Sequence, residues 1–219
     1  MNADTMADAN SSYEARASEL FQRNLAAFKE YNLSIYNVLN RHKSSSQLIF
    51  DEAGNPDIQK DGTRLFKGKA QEHAARLFQD FLDNPTRIAL APPEPGVLDR
   101  YGNPLLDTVL KRARSENISF KSGLPDGDPF TLVVFGIELG LHLPPLLDKL
   151  CPVILHIIEA DVDHLFHSLS VIPWHEYLAR QHSLGGFIMI SFIDDPYTAS
   201  AEVELFLRHF SPATIDGTT

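Results

Sequence analysis

The chain has 219 residues, 43% of them hydrophobic and 22% charged, with a formal net charge of −10. That length suits one α/β body with an extra layer or cap, and no apolar run approaches the roughly 20 residues needed to cross a bilayer. The acidic balance opposes attraction to nucleic acid or anionic lipid, so neither is an expected partner.

In chain order, residues 1–12 are small, polar and acidic and read as a disordered tail. They show no basic region followed by an apolar one, so no secretory leader is visible and the cytoplasm is the expected compartment. From Tyr13 the apolar positions Ala17, Leu20, Phe21, Leu25, Phe28 and Tyr31 recur at three- and four-residue steps, the spacing of one helix face. Asn32 is read as the stop, and Ser34 as the cap of a short second helix from Ile35 to about His42. After the polar stretch Lys43–Ser46, QLIF and DIQKDGTRLF flank a Gly-Asn-Pro turn and predict a small β-hairpin. Residues 68–83 return to helical spacing. RIALA (87–91) and ISF (118–120) are short strand candidates, and 104–116 is a helix. Its cluster of Lys111, Arg112 and Arg114 lies beside Glu116 and reads as a solvated face.

From Phe130 strand and helix alternate: TLVVF, helix 139–150, VILHIIE, helix 162–171, GFIMISF, helix 199–209. Apolar strands separated by helices predict a parallel sheet covered on both faces. The expected organisation is a tail (1–12), a helical and hairpin region (13–125) and a Rossmann-like half (126–219), an α/β fold. The single cysteine, Cys151, can form no internal disulfide and supply no cysteine-based metal site. Before Pro152, at the mouth of a strand, it reads as a buried, inert thiol.

The stretch TLVVFGIELGLH is where such a fold would bind a nucleotide. The dinucleotide fingerprint asks for three glycines. Gly136 fills the first place, Glu138 stands in the second and Leu141 in the third, with Gly140 one residue early. Glu159, ending the next strand, falls where a carboxylate would meet a ribose hydroxyl; against this, Glu159, Asp161 and Asp163 also suit the start of the following helix. His156, His164, His167, His175 and His182 lack three-ligand zinc spacing and read as solvated or hydrogen-bonded, so no metal is expected. Asp161-Val-Asp163 and Asp126-Gly-Asp128 resemble the Asp-x-Asp of metal-dependent glycosyltransferases, but read better as a helix start and a turn.

Taken together, LFQRNLAAFKEYNLSIYNVL, the LIFDEAGNPDI hairpin, LDNPTRIALAPPEP, LVVFGIELGLHLPPLLDKL and VILHIIEADVDHLFHSLSVIPW resemble the N-terminal region of the motility-associated factor (Maf) proteins, bacterial flagellin glycosyltransferases that transfer nonulosonic acids. The most specific piece is the turn running into Gly140-Leu141-His142-Leu143, then the strand ending in Glu159 and the helix leading to Trp174. The family turn carries glycine where Glu138 stands. The resemblance implies an accessory N-terminal domain, with transferase activity in a later domain beyond Thr219 and with flagellin or a flagellar chaperone as partner. The competing reading is a stand-alone enzyme or sensor that binds a nucleotide or nucleoside over Gly136. The candidate ligand contacts are Gly136, Glu138, Gly140, His142, Glu159 and Asp161. A third reading is an interaction protein that docks through the Tyr13–Tyr31 helix.

Overall fold

A computed structural model of the chain describes residues 3–84 and 131–217, together with 108, 111, 112, 115, 116 and 129. Helix α1 spans Ala3–Tyr31 and α2 Leu33–Arg41; a meander follows, β1 Gln47–Phe50, β2 Pro56–Lys60 and β3 Thr63–Arg64, and then α3 Ala70–Asp83. The second part runs β4 Thr131–Phe135, α4 Leu143–Leu150, β5 Ile154–Glu159, α5 Val162–Ser168, α6 Trp174–Ser183, β6 Phe187–Phe192 and α7 Pro196–Gly217. RIALA, ISF, the Asp126-Gly-Asp128 turn and most of 104–116 lie outside the described residues. Within that last segment Thr108, Lys111, Arg112 and Ser115 are helical.

The three strands β4, β5 and β6 pair in that order and all run parallel. Register places Leu132, Leu155 and Ile188 side by side, and Val134, Ile157 and Ile190 in the next row. Because strand side chains alternate, all six share one face. That face packs against Leu143 and Leu147 of α4, Leu165 of α5, Trp174 and Leu178 of α6, Phe28 of α1 and Ile35 and Leu39 of α2. The first two helices thus enter the same core as the sheet, although the grammar of the chain assigns them to separate regions. On the opposite face the His156 ring packs at a tilt against Phe206 of α7, 4.7 Å between centroids, and Ser191 donates to Glu202 of α7. The sheet is therefore helix-covered on both sides, which explains why every residue of β5 is buried.

Several boundaries differ from the sequence reading. Helix α1 continues N-terminally through residues 3–12, the expected tail; that stretch contains neither proline nor glycine to stop a helix. Asn32, not Ser34, caps α2: its side chain accepts from the N–H of Ile35, and Ser34 Oγ donates to Asn32 Oδ1. The predicted helix 139–150 begins only at Leu143, because Glu138 and Gly140 sit at positive φ, 52° and 73°, where a right-handed helix cannot run. Helix α5 ends at Ser168, and α6 begins after Pro173 with Trp174, Tyr177, Leu178 and Gln181 buried along one face. Cys151 is exposed rather than buried, because it ends α4 in the left-handed conformation (φ 40°) at the protein surface.

Among the strands described, sequence neighbours are spatial neighbours, so no reversal of strand order creates a switch-point crevice here.

Candidate functional site

At the carboxyl end of the sheet, residues 136–142 leave β4 as a tight loop. Gly136 N–H donates back to Ile158 O at 2.8 Å, and Gly140 N–H closes a turn onto Ile137 O at 2.6 Å. Gly140 is needed for space as well as for its φ of 73°: a Cβ there would lie 2.8 Å from Ile172 Cδ1. Gly136, at φ 75°, has open space above it.

Glu159 closes this loop from below. Its side chain is 3% exposed. Oε2 accepts the Ile137 N–H at 2.7 Å and Oε1 accepts those of Ala160 at 2.8 Å and Asp161 at 3.0 Å. His164 Nδ1–H donates to the same Oε1 at 3.1 Å. Burial alone would push the Glu159 carboxyl upward, but the His164 and backbone donors outweigh it and hold it below its ordinary value. In return the Glu159 carboxylate raises His164. The carboxylate expected at a ribose is thus fully engaged by protein donors.

The other sequence candidates surround the same loop. Glu138 Oε1 accepts from His73 Nε2–H of α3 at 3.0 Å, and Arg76 donates to His73 Nδ1 at 3.0 Å, which fixes the neutral tautomer of that histidine. Together with Leu139 packing near Ala70, this pair attaches α3 to the loop. His142 is 8% exposed, and burial pulls its pKa down to about 4, so the ring is neutral at pH 7. The cleft between α3 and the loop, lined by Phe66, Ala70, Ala74, Glu138 and His142, has no room for even a water molecule. Asp161 is the N-cap of α5, accepting the Asp163 N–H at 2.9 Å.

One polar cluster was not foreseen from sequence. Asp163, buried at the start of α5, accepts from His42 Nε2–H at 2.5 Å, from the N–H and hydroxyl of Ser45, and from the Ser46 hydroxyl at 2.8 Å. These donors outweigh the opposing effect of burial and hold its carboxyl well below the usual range. His167 Nε2 lies 2.9 Å from Ser46 Oγ and 3.2 Å from Ser44 Oγ. Serine, histidine and aspartate thus meet, but not as a nucleophilic triad. Ser46 donates its proton to Asp163, so His167 Nε2 must carry the proton it shares with Ser46, and among the described residues no carboxylate orients its other nitrogen. The cluster ties the 44–46 segment, and with it the meander, to the sheet. A run of three serines ahead of a strand was the available signal; what they would bond was not readable.

Above the cluster, a groove of about 270 Å³ separates the meander from the β5–α5 turn, with Lys60, Thr63, Asp161 and His164 on its walls. Among the described residues no three His, Cys, Asp or Glu side chains are arranged to hold a metal ion, and no helix is long and apolar enough to cross a membrane.

The fold and this loop define an α/β domain with a three-stranded parallel sheet and an antiparallel meander docked at its carboxyl end. Residues 20–219 match the family model described as the glycosyltransferase Maf N-terminal domain, and the chain belongs to that family. Its structure is also similar to that of the Maf glycosyltransferase from Magnetospirillum magneticum AMB-1, with 28% sequence identity and a TM-score of 0.66. The match covers 87% of the present chain and 30% of the Magnetospirillum one. No curated protein sequence matches.

Proposed function

We propose that this chain acts as an accessory, non-catalytic domain of a Maf-type flagellin glycosyltransferase, working in the cytoplasm and contributing architecture and recognition of flagellin or a flagellar chaperone. The observation that carries this reading is the engagement of the acids at the carboxyl end of the sheet. Glu159 and Asp163, the two buried carboxylates there, are saturated by backbone, serine and histidine donors. Neither is left as a general acid or base, and the loop that would cradle a phosphate presents the Glu138 carboxylate to α3 instead. The family membership supports the glycosyltransferase connection.

The test is to incubate the purified 219-residue chain with a CMP-linked nonulosonic acid, with and without flagellin. Neither hydrolysis nor transfer is expected; measurable transfer by this chain alone would overturn the reading. Co-precipitation of flagellin or a flagellar chaperone with the same chain measures the recognition role.

A further inference from the structure

The groove between the meander and the β5–α5 turn has features that the accessory role does not use. The strands β2 and β3 meet at Asp61-Gly62, both at positive φ (51° and 75°), the geometry of a tight two-residue hairpin turn. This turn brings Lys60 and Thr63 opposite each other in register. Across the groove stand Asp161 and His164, and the apolar Ile58 and Leu65 complete the wall.

Three properties narrow what could sit there. The first is size: about 270 Å³ lies at the lower edge of the roughly 300–1,000 Å³ of pockets that hold drug-sized ligands, which suits a single small ring. The second is charge: Asp161 and Asp163 offset Lys60 on the same groove, so Lys60 is not free to draw in a phosphate or other anion.

The third is the mixture of donors and acceptors. Lys60 Nζ and Asp161 Oδ2 lie 3.9 Å apart, too far for a direct hydrogen bond; a hydroxyl set against the pair can accept from one and donate to the other. His164 has its Nδ1 held by Glu159, so the ring orientation is set, and Nε2, which has no hydrogen-bond partner among the described residues, is the atom offered to a ligand. Leu65, half-exposed, offers an apolar surface to a C–H face.

We infer that this groove is a binding subsite for one neutral, polyhydroxylated ring, a monosaccharide unit, held by Lys60, Thr63, Asp161 and His164. The site binds and does not react, so it is compatible with the accessory reading without resting on it.

The experiment follows backbone amide NMR signals of the 219-residue chain during titration with glucose, galactose and N-acetylglucosamine, and separately with CMP and inorganic phosphate. At least one neutral sugar is expected to shift the signals of residues 60–65 and 161–164 in a saturable way, with CMP and phosphate leaving them in place. Lys60→Met and Asp161→Asn should each weaken that binding about tenfold; asparagine keeps the helix cap, and unchanged signals elsewhere show that the fold is retained. The inference is overturned if no sugar shifts these signals up to its solubility limit, if CMP or phosphate shifts them in place of the sugars, or if both variants bind as the parent does.

Discussion

Asn24, in the middle of α1, and His175, at the start of α6, share two hydrogen bonds: Asn24 Oδ1 accepts both the backbone N–H and the Nδ1–H of His175, each at 2.8 Å. The amide nitrogen of the same Asn24 donates to Leu169 O and Ile172 O at 2.7 and 2.8 Å. One fully buried side chain thus satisfies the α5–α6 connection, whose backbone groups have no water to turn to. Asn24→Ala should destabilise the protein by about 3 kcal/mol, since it strands the Leu169 carbonyl and both His175 donors, while Ile172 O keeps the Trp174 N–H. Asn24→Asp should be no better, because a carboxylate cannot donate to those carbonyls. Urea unfolding midpoints at constant slope would check both.

Glu159→Gln keeps the shape and removes the charge. Half of the amide would then present N–H groups where the carboxylate accepts donors, so a loss of about 2 kcal/mol is expected. The same substitution removes the partner that raises His164. An NMR titration should therefore find the His164 ring titrating at lower pH in the variant, a change that a general loosening of the fold would not produce selectively.

The pH dependence of stability has a definite sign. His142 is held near 4 in the folded state against 6.5 for the ordinary ring, a difference worth about 3 kcal/mol. The unfolded chain binds the proton more readily, so this contribution is complete above pH 6.5 and is lost as the pH falls toward 4. Burial lowers His156 and His167 in the same sense. His164, raised, acts oppositely: its contribution is complete below its unfolded value and is lost as the pH rises through its folded one. Stability should consequently decline between pH 6.5 and 4, and His142→Leu should flatten that decline. Chemical denaturation at half-unit steps across the range reads this out.

Gly136 and Gly140 have nearly the same positive φ, 75° and 73°, but different surroundings. Alanine at either position incurs the left-handed backbone cost of about 1–2 kcal/mol. At Gly140 the added methyl also meets Ile172 at 2.8 Å, whereas nothing lies within 4 Å at Gly136. Gly140→Ala should therefore melt at a distinctly lower temperature than Gly136→Ala, with overpacking adding about 1–3 kcal/mol.

Glu138→Gly relieves the strain of a non-glycine residue at φ 52° and removes the hydrogen bond from His73, the two side chains being 33% and 27% exposed. A pair that accessible contributes about 0–1 kcal/mol, and the extra freedom of glycine in the unfolded chain offsets part of the relief. The net change should stay within about 1 kcal/mol. A larger loss would mean that the His73 link does more to hold α3 than its exposure indicates.

Much of the architecture was legible from local pattern. The alternation of apolar strand and helix after Phe130 predicts a parallel, two-sided sheet, and the three strands lie within a residue of their expected limits. The reading failed where one residue overrides a pattern: Glu138 and Gly140 delay α4, and the buried face of α6 went unnoticed behind Pro173. The site was less legible. Glu159 and Asp161 stood out as acids at a strand end, but whether Glu159 would face a ligand or its own loop depends on where the Ile137 N–H comes to lie.

By itself, then, the sequence determined the three parallel strands, a hairpin in place of the three-stranded meander, the family and the identity of many core residues, because apolar periodicity is a local property imposed by backbone geometry. Only the tertiary structure decided the fate of the polar groups. Asn24 meets His175 across 151 residues of chain, and Asp163 meets Ser45 across 118. A buried polar side chain takes its partner from whichever backbone or side-chain groups packing has cut off from water, and which groups those are is set only when distant segments come together.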